Sequence, residues 1–189
     1  MKVLVPDLRG IALVNLQKRY AVPSSSLRTF AGRLKRRLRL GKRGFTVCFV
    51  DDSAIRTLNL AYRGKDKATD VLSFPWEETP RPAASKPAQL SPSGEHVGIK
   101  DFLGDVVISV SAAERNAAME GHSSVREMRW LILHGVLHLI GYDHERDDGE
   151  MMALELKLRD ELEGGKRRVE NRRSKIETRM PRLPSRRPA

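Results

Sequence analysis

The chain of 189 residues has one cysteine, Cys48. A single thiol excludes an intramolecular disulfide and fits a reducing compartment. It lies in GFTVCFV, which reads as a strand, so a packed thiol is expected there and not a nucleophile or a metal ligand. Long apolar runs are also missing. No stretch approaches the roughly 18 apolar residues that a membrane span needs, and Pro6, Asp7 and Arg9 interrupt the segment where a targeting signal would begin. A cytoplasmic protein with no membrane partner is the expectation. Acidic residues are in deficit too: 24 Asp and Glu face 35 Lys and Arg, a net charge of +11 with a pI near 10.2, the electrostatic footprint of something that meets phosphate. The excess is uneven. Residues 164–189 hold ten basic and two acidic residues, a net of +8, with Pro181, Pro184 and Pro188 among few large apolar side chains. Such a tail is expected to be disordered, serving either solubility or sequence-independent attraction to RNA.

What remains is one domain, residues 1–163, large enough to bury an interior without staples. Periodicity predicts strands near 11–16, 45–50, 70–74 and 103–110, and helices over 25–40, from Asp52 or Ser53 to 62, 111–121, 123–140 and 148–162. Gly41 is expected to end the first helix and Gly64 the second. Strands and helices interleave without a repeat, which indicates layered α+β or α/β architecture. Between 76 and 100, four prolines set among Ala, Ser and Gly predict a long flexible loop, so His96 within it is expected to be solvated.

Three of the five histidines, His134, His138 and His144, fall within HGVLHLIGYDH. His134 and His138 are four residues apart on a predicted helix, so their rings share one face about 6 Å apart along the axis. Gly141 permits a left-handed residue at the helix end, and the reversal would carry His144 back over that face. Three imidazoles with an open fourth position are the usual makeup of a catalytic zinc site; two unpaired histidines inside so apolar a helix would be costly, and one ion would partner all three rings at once. Zinc, one ion per chain, is therefore the expected cofactor. The string also lacks something. Metalloproteases with the HExxH pattern carry a glutamate after the first histidine as general base, and here that position is Gly135. Glycine inside a helix implies either close packing or room for a bulky substrate.

HGVLHLIGYDH resembles the signature of the YbeY family of bacterial metal-dependent endoribonucleases, which has glycine after the first histidine and ends in Gly-Tyr-Asp-His. LNLAYRGKDKATDVLSFP and LGDVVIS resemble that family's other blocks, in the expected order, and the similarity spans roughly residues 45–162. The resemblance implies an α+β single domain in which a mixed four-stranded sheet packs around a central metal-binding helix. It also implies single-strand-directed cleavage of ribosomal RNA, in small-subunit rRNA maturation and ribosome quality control. The implied partners are small-subunit components and an Era-type GTPase. A metal that lowers the pKa of its water toward about 7 has no need of the missing glutamate.

Within AYRGKDK, the resemblance implies a required arginine, Arg63, beside the metal. A guanidinium fork suits the charge that builds on phosphoryl oxygens, although Arg63 also stands where it would answer the negative end of its helix. Asp143 is either a group that orients a histidine or an exposed turn residue. Arg28, Arg33, Lys35, Arg36, Arg37 and Arg39 give one helix a basic face, a second RNA-facing surface or a solvated one. A metalloprotease and a non-catalytic zinc-containing ribosome-assembly factor share much of this pattern. RNA cleavage that disappears with a chelator discriminates them.

Overall fold

Alternating apolar side chains in IALVN and GFTVCFV set β1 (Ile11–Asn15) and β2 (Gly44–Val50) side by side in parallel, with Ile11 opposite Phe45 and Leu13 opposite Val47. In the computed structural model, which describes residues 10–76, 101–144 and 147–163, these strands are half of one sheet. β3 (Val71–Pro75) and β4 (Phe102–Ser109) complete it in the order β1-β2-β4-β3, with β4 parallel to β2 and β3 antiparallel to β4. The expected mixed four-stranded sheet is present.

The two-residue period sorts side chains onto two faces. Phe45, Val47, Phe49, Val106 and Ile108 enter the main core, whereas Val50, Leu72 and Val107 point the other way and meet Ile55. The main core is closed by α1 (Ser24–Arg37) and α4 (Ser124–Leu139), with α5 (Glu150–Glu163) packed on both. Ile55 belongs to α2 (Asp52–Arg63) on the opposite face, and α3 (Val110–Glu120) links β4 to α4. Cys48 is half-buried in β2 as expected; burial, and secondarily Asp105, pushes its thiol up to about 11, far from a nucleophile.

α4 is the central helix. Met128, Ile132, Leu133, Val136 and Leu137 are fully buried around it, the signature of a helix enclosed by its own domain. Gly135 lets it lie directly on β4: a Cβ there would stand 2.4 Å from Cγ1 of Val106 and 2.9 Å from Cγ2. Close packing is thus the reason for this glycine, and there is no room for substrate at that point.

Helix ends show where short-range reading slips. The first helix stops before Gly41: Leu38 is its cap, Arg39 takes the left-handed conformation at φ 54°, and Leu40 N–H donates back to the Lys35 carbonyl at 3.1 Å. Leu40 is buried, and that apolar anchor two residues past the cap outweighs the cost of a left-handed arginine. The second helix begins on Asp51, whose carboxylate accepts from Ala54 N–H at 2.8 Å, and ends at Gly64 as expected. Residues 77–100 of the predicted loop, His96 among them, and the 164–189 tail lie outside the described residues. Among those described, no helix is long and apolar enough to cross a membrane.

Candidate metal centre

α4 ends where the histidine string predicts. Gly141 adopts φ 96°, its N–H donates to the His138 carbonyl at 3.0 Å, and Tyr142 N–H reaches back to the Leu137 carbonyl at 3.1 Å. This reversal satisfies the last carbonyls of the helix and returns the chain toward its own final turn. His144 thereby meets the other two rings, with ring centroids 5.3 Å from His134 and 5.2 Å from His138, while the two helical rings are 4.8 Å apart. One nitrogen of each ring lies within 4.8 Å of the others.

The donor set fits a small divalent cation. Nε2 of His134 and Nε2 of His138 face each other at 3.2 Å, close to the spacing of about 3.3 Å between neighbouring donors around a tetrahedral zinc. Nδ1 of His134 stands 3.1 Å from Oε2 of Glu155, so it donates its proton there and leaves Nε2 as the lone-pair nitrogen. Burial, then the neighbouring His134 and His144 rings, hold His138 below its ordinary pKa, in the neutral form that a metal requires.

Glu155 was not legible as a site residue from local motifs. It comes from α5 and is buried at 8% exposure, a costly place for a carboxylate. Burial pushes its pKa up, but the His134 hydrogen bond and the Arg159 guanidinium outweigh that and leave it below the usual range. Arg159 also pairs with Glu155 and lies 4.3 Å over the Trp130 ring. One signal was available: Met151, Glu155, Leu158 and Leu162 are the buried positions of α5, so the glutamate interrupts an apolar stripe.

The histidines open onto a cleft of about 680 Å³ whose wall includes Arg63, Asp70, Ser73 and Asp143. Arg63 reaches it from the last turn of α2. The cleft therefore brings together every residue that the sequence assigned to chemistry. Asp70, unassigned in the sequence, is held by Val71 N–H at 2.9 Å and by Asn116 at 3.3 Å. His122 stands apart from the cleft lining, in a second His and Glu group: its Nε2 lies 3.1 Å from Glu120 and 3.3 Å from Glu127. With Ser123 capping α4 through Arg126 N–H, that group ties the end of α3 to the start of α4.

A family model described as endoribonuclease YbeY matches residues 16–163, which take in every element from α1 to α5 and leave out β1. The chain belongs to the YbeY endoribonuclease family. Curated YbeY endoribonucleases share its sequence closely. That of Desulforamulus reducens is 40% identical over 145 residues, covering 74% of this chain and 86% of the relative; that of Koribacter versatilis is 43% identical over 152 residues, covering 79% and 85%. For the Moorella thermoacetica YbeY, 45% identical over 109 residues, the match covers 58% of this chain and 65% of the relative. A solution structure of a Thermotoga maritima protein superposes with a TM-score of 0.53 at 26% identity, covering 84% of this chain and 93% of that one. The YbeY match thus includes all three histidines, Arg63 and Glu155.

Proposed function

We propose that the chain is a metal-dependent endoribonuclease that cleaves single-stranded ribosomal RNA, with zinc held by His134, His138 and His144. The observation that carries this is the convergence of three imidazoles, two with Nε2 atoms 3.2 Å apart, on one wall of a cleft that also receives Arg63. When bound, a divalent ion supplies Lewis acidity toward water and phosphoryl oxygens. The chain's own residues do the rest. Glu155 orients His134 by accepting its Nδ1 proton. Arg63 presents a fork of donors to the nonbridging oxygens as charge accumulates on them. Gly135 leaves no carboxylate next to the first histidine, so the general base of an HExxH protease is missing.

The same reading places the protein in the cytoplasm, in maturation of small-subunit rRNA and ribosome quality control, alongside small-subunit components and an Era-type GTPase. The family match and the basic composition support it. The test is direct: purified protein is given single-stranded RNA, the same RNA as a duplex, and casein. Cleavage of the single strand alone, abolished by a chelator and restored by zinc, is the expected result. Casein turnover without RNA cleavage would replace the nuclease with a protease, and zinc retention without any turnover would leave an assembly factor.

A further inference from the structure

The sheet end at which the parallel strands begin holds more than the histidine helix. Leu139, next to His138, packs there against Gly104 at the start of β4, where an added Cβ would meet the Leu139 side chain at 3.0 Å. Pro75, on the cleft wall, pairs with Gly104. Trp76 follows, its N–H donating to the Leu103 carbonyl at 3.0 Å and its ring set edge-on to Phe102 with centroids 5.7 Å apart. Phe102 in turn pairs with Gly44, and Gly44 is pressed so tightly to Gly10 that a Cβ would lie 2.1 Å from the Gly10 carbonyl oxygen. That contact pins the α1–β2 turn, with Lys42 and Arg43, beside the start of β1. The order along this end is therefore histidine cleft, Trp76, basic turn. Two inter-strand steps of about 4.8 Å separate β3 from β2, so the cleft wall and the turn are on the order of 10 Å apart.

The α1–β2 side of this end is strongly basic, with exposed Asp101 ahead of Phe102 the acidic residue at the start of β4. Residues 16–50 contain ten Lys and Arg and no Asp or Glu. Arg37 is paired with Glu161 of α5, but the exposed Arg33, Arg36, Lys42 and Arg43 enter none of the ion pairs among the described residues. Trp76, at 40% exposure, is a large apolar ring at the surface, and the strand order sets it between the cleft and the turn that carries Lys42 and Arg43. An exposed ring on the same sheet end as Lys42 and Arg43 is a combination that suits single-stranded nucleic acid, because every base offers a π-face and every linkage a phosphate. We propose that this end of the sheet is a platform for the RNA strand that extends from the histidine cleft, with Trp76 stacking on a base and Lys42 and Arg43 holding the phosphates that follow. That the bound strand extends from the cleft rests on the endoribonuclease reading; that this surface binds single-stranded RNA is tested separately.

The experiment uses full-length, metal-loaded protein and a fluorescein-labelled ten-nucleotide 2′-O-methyl RNA, checked on a gel for integrity, with affinity read by anisotropy. Trp76→Ala is expected to weaken binding about tenfold, and Trp76→Phe to keep most of it. Lys42→Ala combined with Arg43→Ala should lower the slope of log affinity against log salt by about 1.4, two phosphate contacts' worth on a single strand. Cleavage of unmodified RNA at saturating concentration should be unchanged in all three variants, the loss appearing in KM. Wild-type affinity and salt slope throughout would overturn the platform, as would loss of binding to phosphatidylserine vesicles with RNA binding intact. If the wild-type protein cleaves no RNA while the variants still lose binding as described, the nuclease reading falls and the platform stands.

Discussion

Oε2 of Glu155 lies 3.1 Å from Nδ1 of His134, a contact across two helices between residues 21 apart in sequence, and it decides which nitrogen of the ring can hold a metal. A carboxylate in this position fixes the tautomer and makes the ring a better donor. Glu155→Ala is expected to weaken metal affinity by roughly 10- to 100-fold while α5 stays folded, since Met151, Leu158 and Leu162 still bury its apolar face. Competition against a chromogenic chelator measures this. Unchanged affinity would reduce Glu155 to a partner of Arg159.

Gly135→Ala sets two effects against each other. Alanine is favoured over glycine within a helix by about 1 kcal/mol. Its Cβ, however, would fall 2.4 Å from Val106, in the most buried layer of the sheet, and overpacking of this kind costs about 1 to 3 kcal/mol. Packing wins, so net destabilisation in urea melts is expected. Gly135→Glu, which restores the protease-like string, should unfold the domain and create no protease; a folded, stable variant would mean that α4 can lift off β4.

Arg63→Lys separates binding from chemistry. Arg63 lines the cleft but lies outside the histidine cluster, so the variant should retain metal and fold while losing most RNA cleavage, because a point charge cannot reproduce a two-pronged contact. Turnover at the wild-type rate would return Arg63 to the end of α2 as a helix-terminal cation.

The metal-free protein should be acid-sensitive in a defined window. His138 is held below its ordinary value of 6.5 by burial and by two neighbouring rings, so between that value and its folded one the unfolded chain binds more protons than the native chain. The stability is fully present above about pH 6.5 and is lost as pH falls through the folded pKa. Thermal melts of metal-free protein should decline from near pH 6.5 downward, and His138→Gln should flatten the decline. Glu155, whose folded pKa is also depressed, acts only at lower pH, below its ordinary 4.5. An apo protein whose Tm is level from pH 8 to 5 would show that His138 is not the neutral, confined ring described.

Much of this was legible in sequence because the signals are short-range. The two-residue period of IALVN and GFTVCFV, the apolar run of α4 and the HGVLHLIGYDH spacing each specify local geometry, and Gly141 turns the chain where expected. Four features needed the tertiary structure. Arg39 takes the left-handed position ahead of Gly41 because Leu40 must be buried, a demand of the core and not of the turn. Gly135 could be read two ways until Val106 was placed beneath it. Glu155 reaches His134 only because α5 packs on α4, and Arg63 reaches the cleft from a helix on the opposite face of the sheet.

In the proposed nuclease, RNA cleavage depends on an ion held by three imidazoles. The most direct measurement is titration of zinc into metal-free protein, with bound metal and single-stranded RNA cleavage followed in the same samples. Both should rise together and saturate at about one ion per chain, with ligands at roughly 2.0 to 2.1 Å by X-ray absorption, and His138→Ala should abolish both. Full cleavage by metal-free protein, or by His138→Ala at the wild-type rate, would contradict the account.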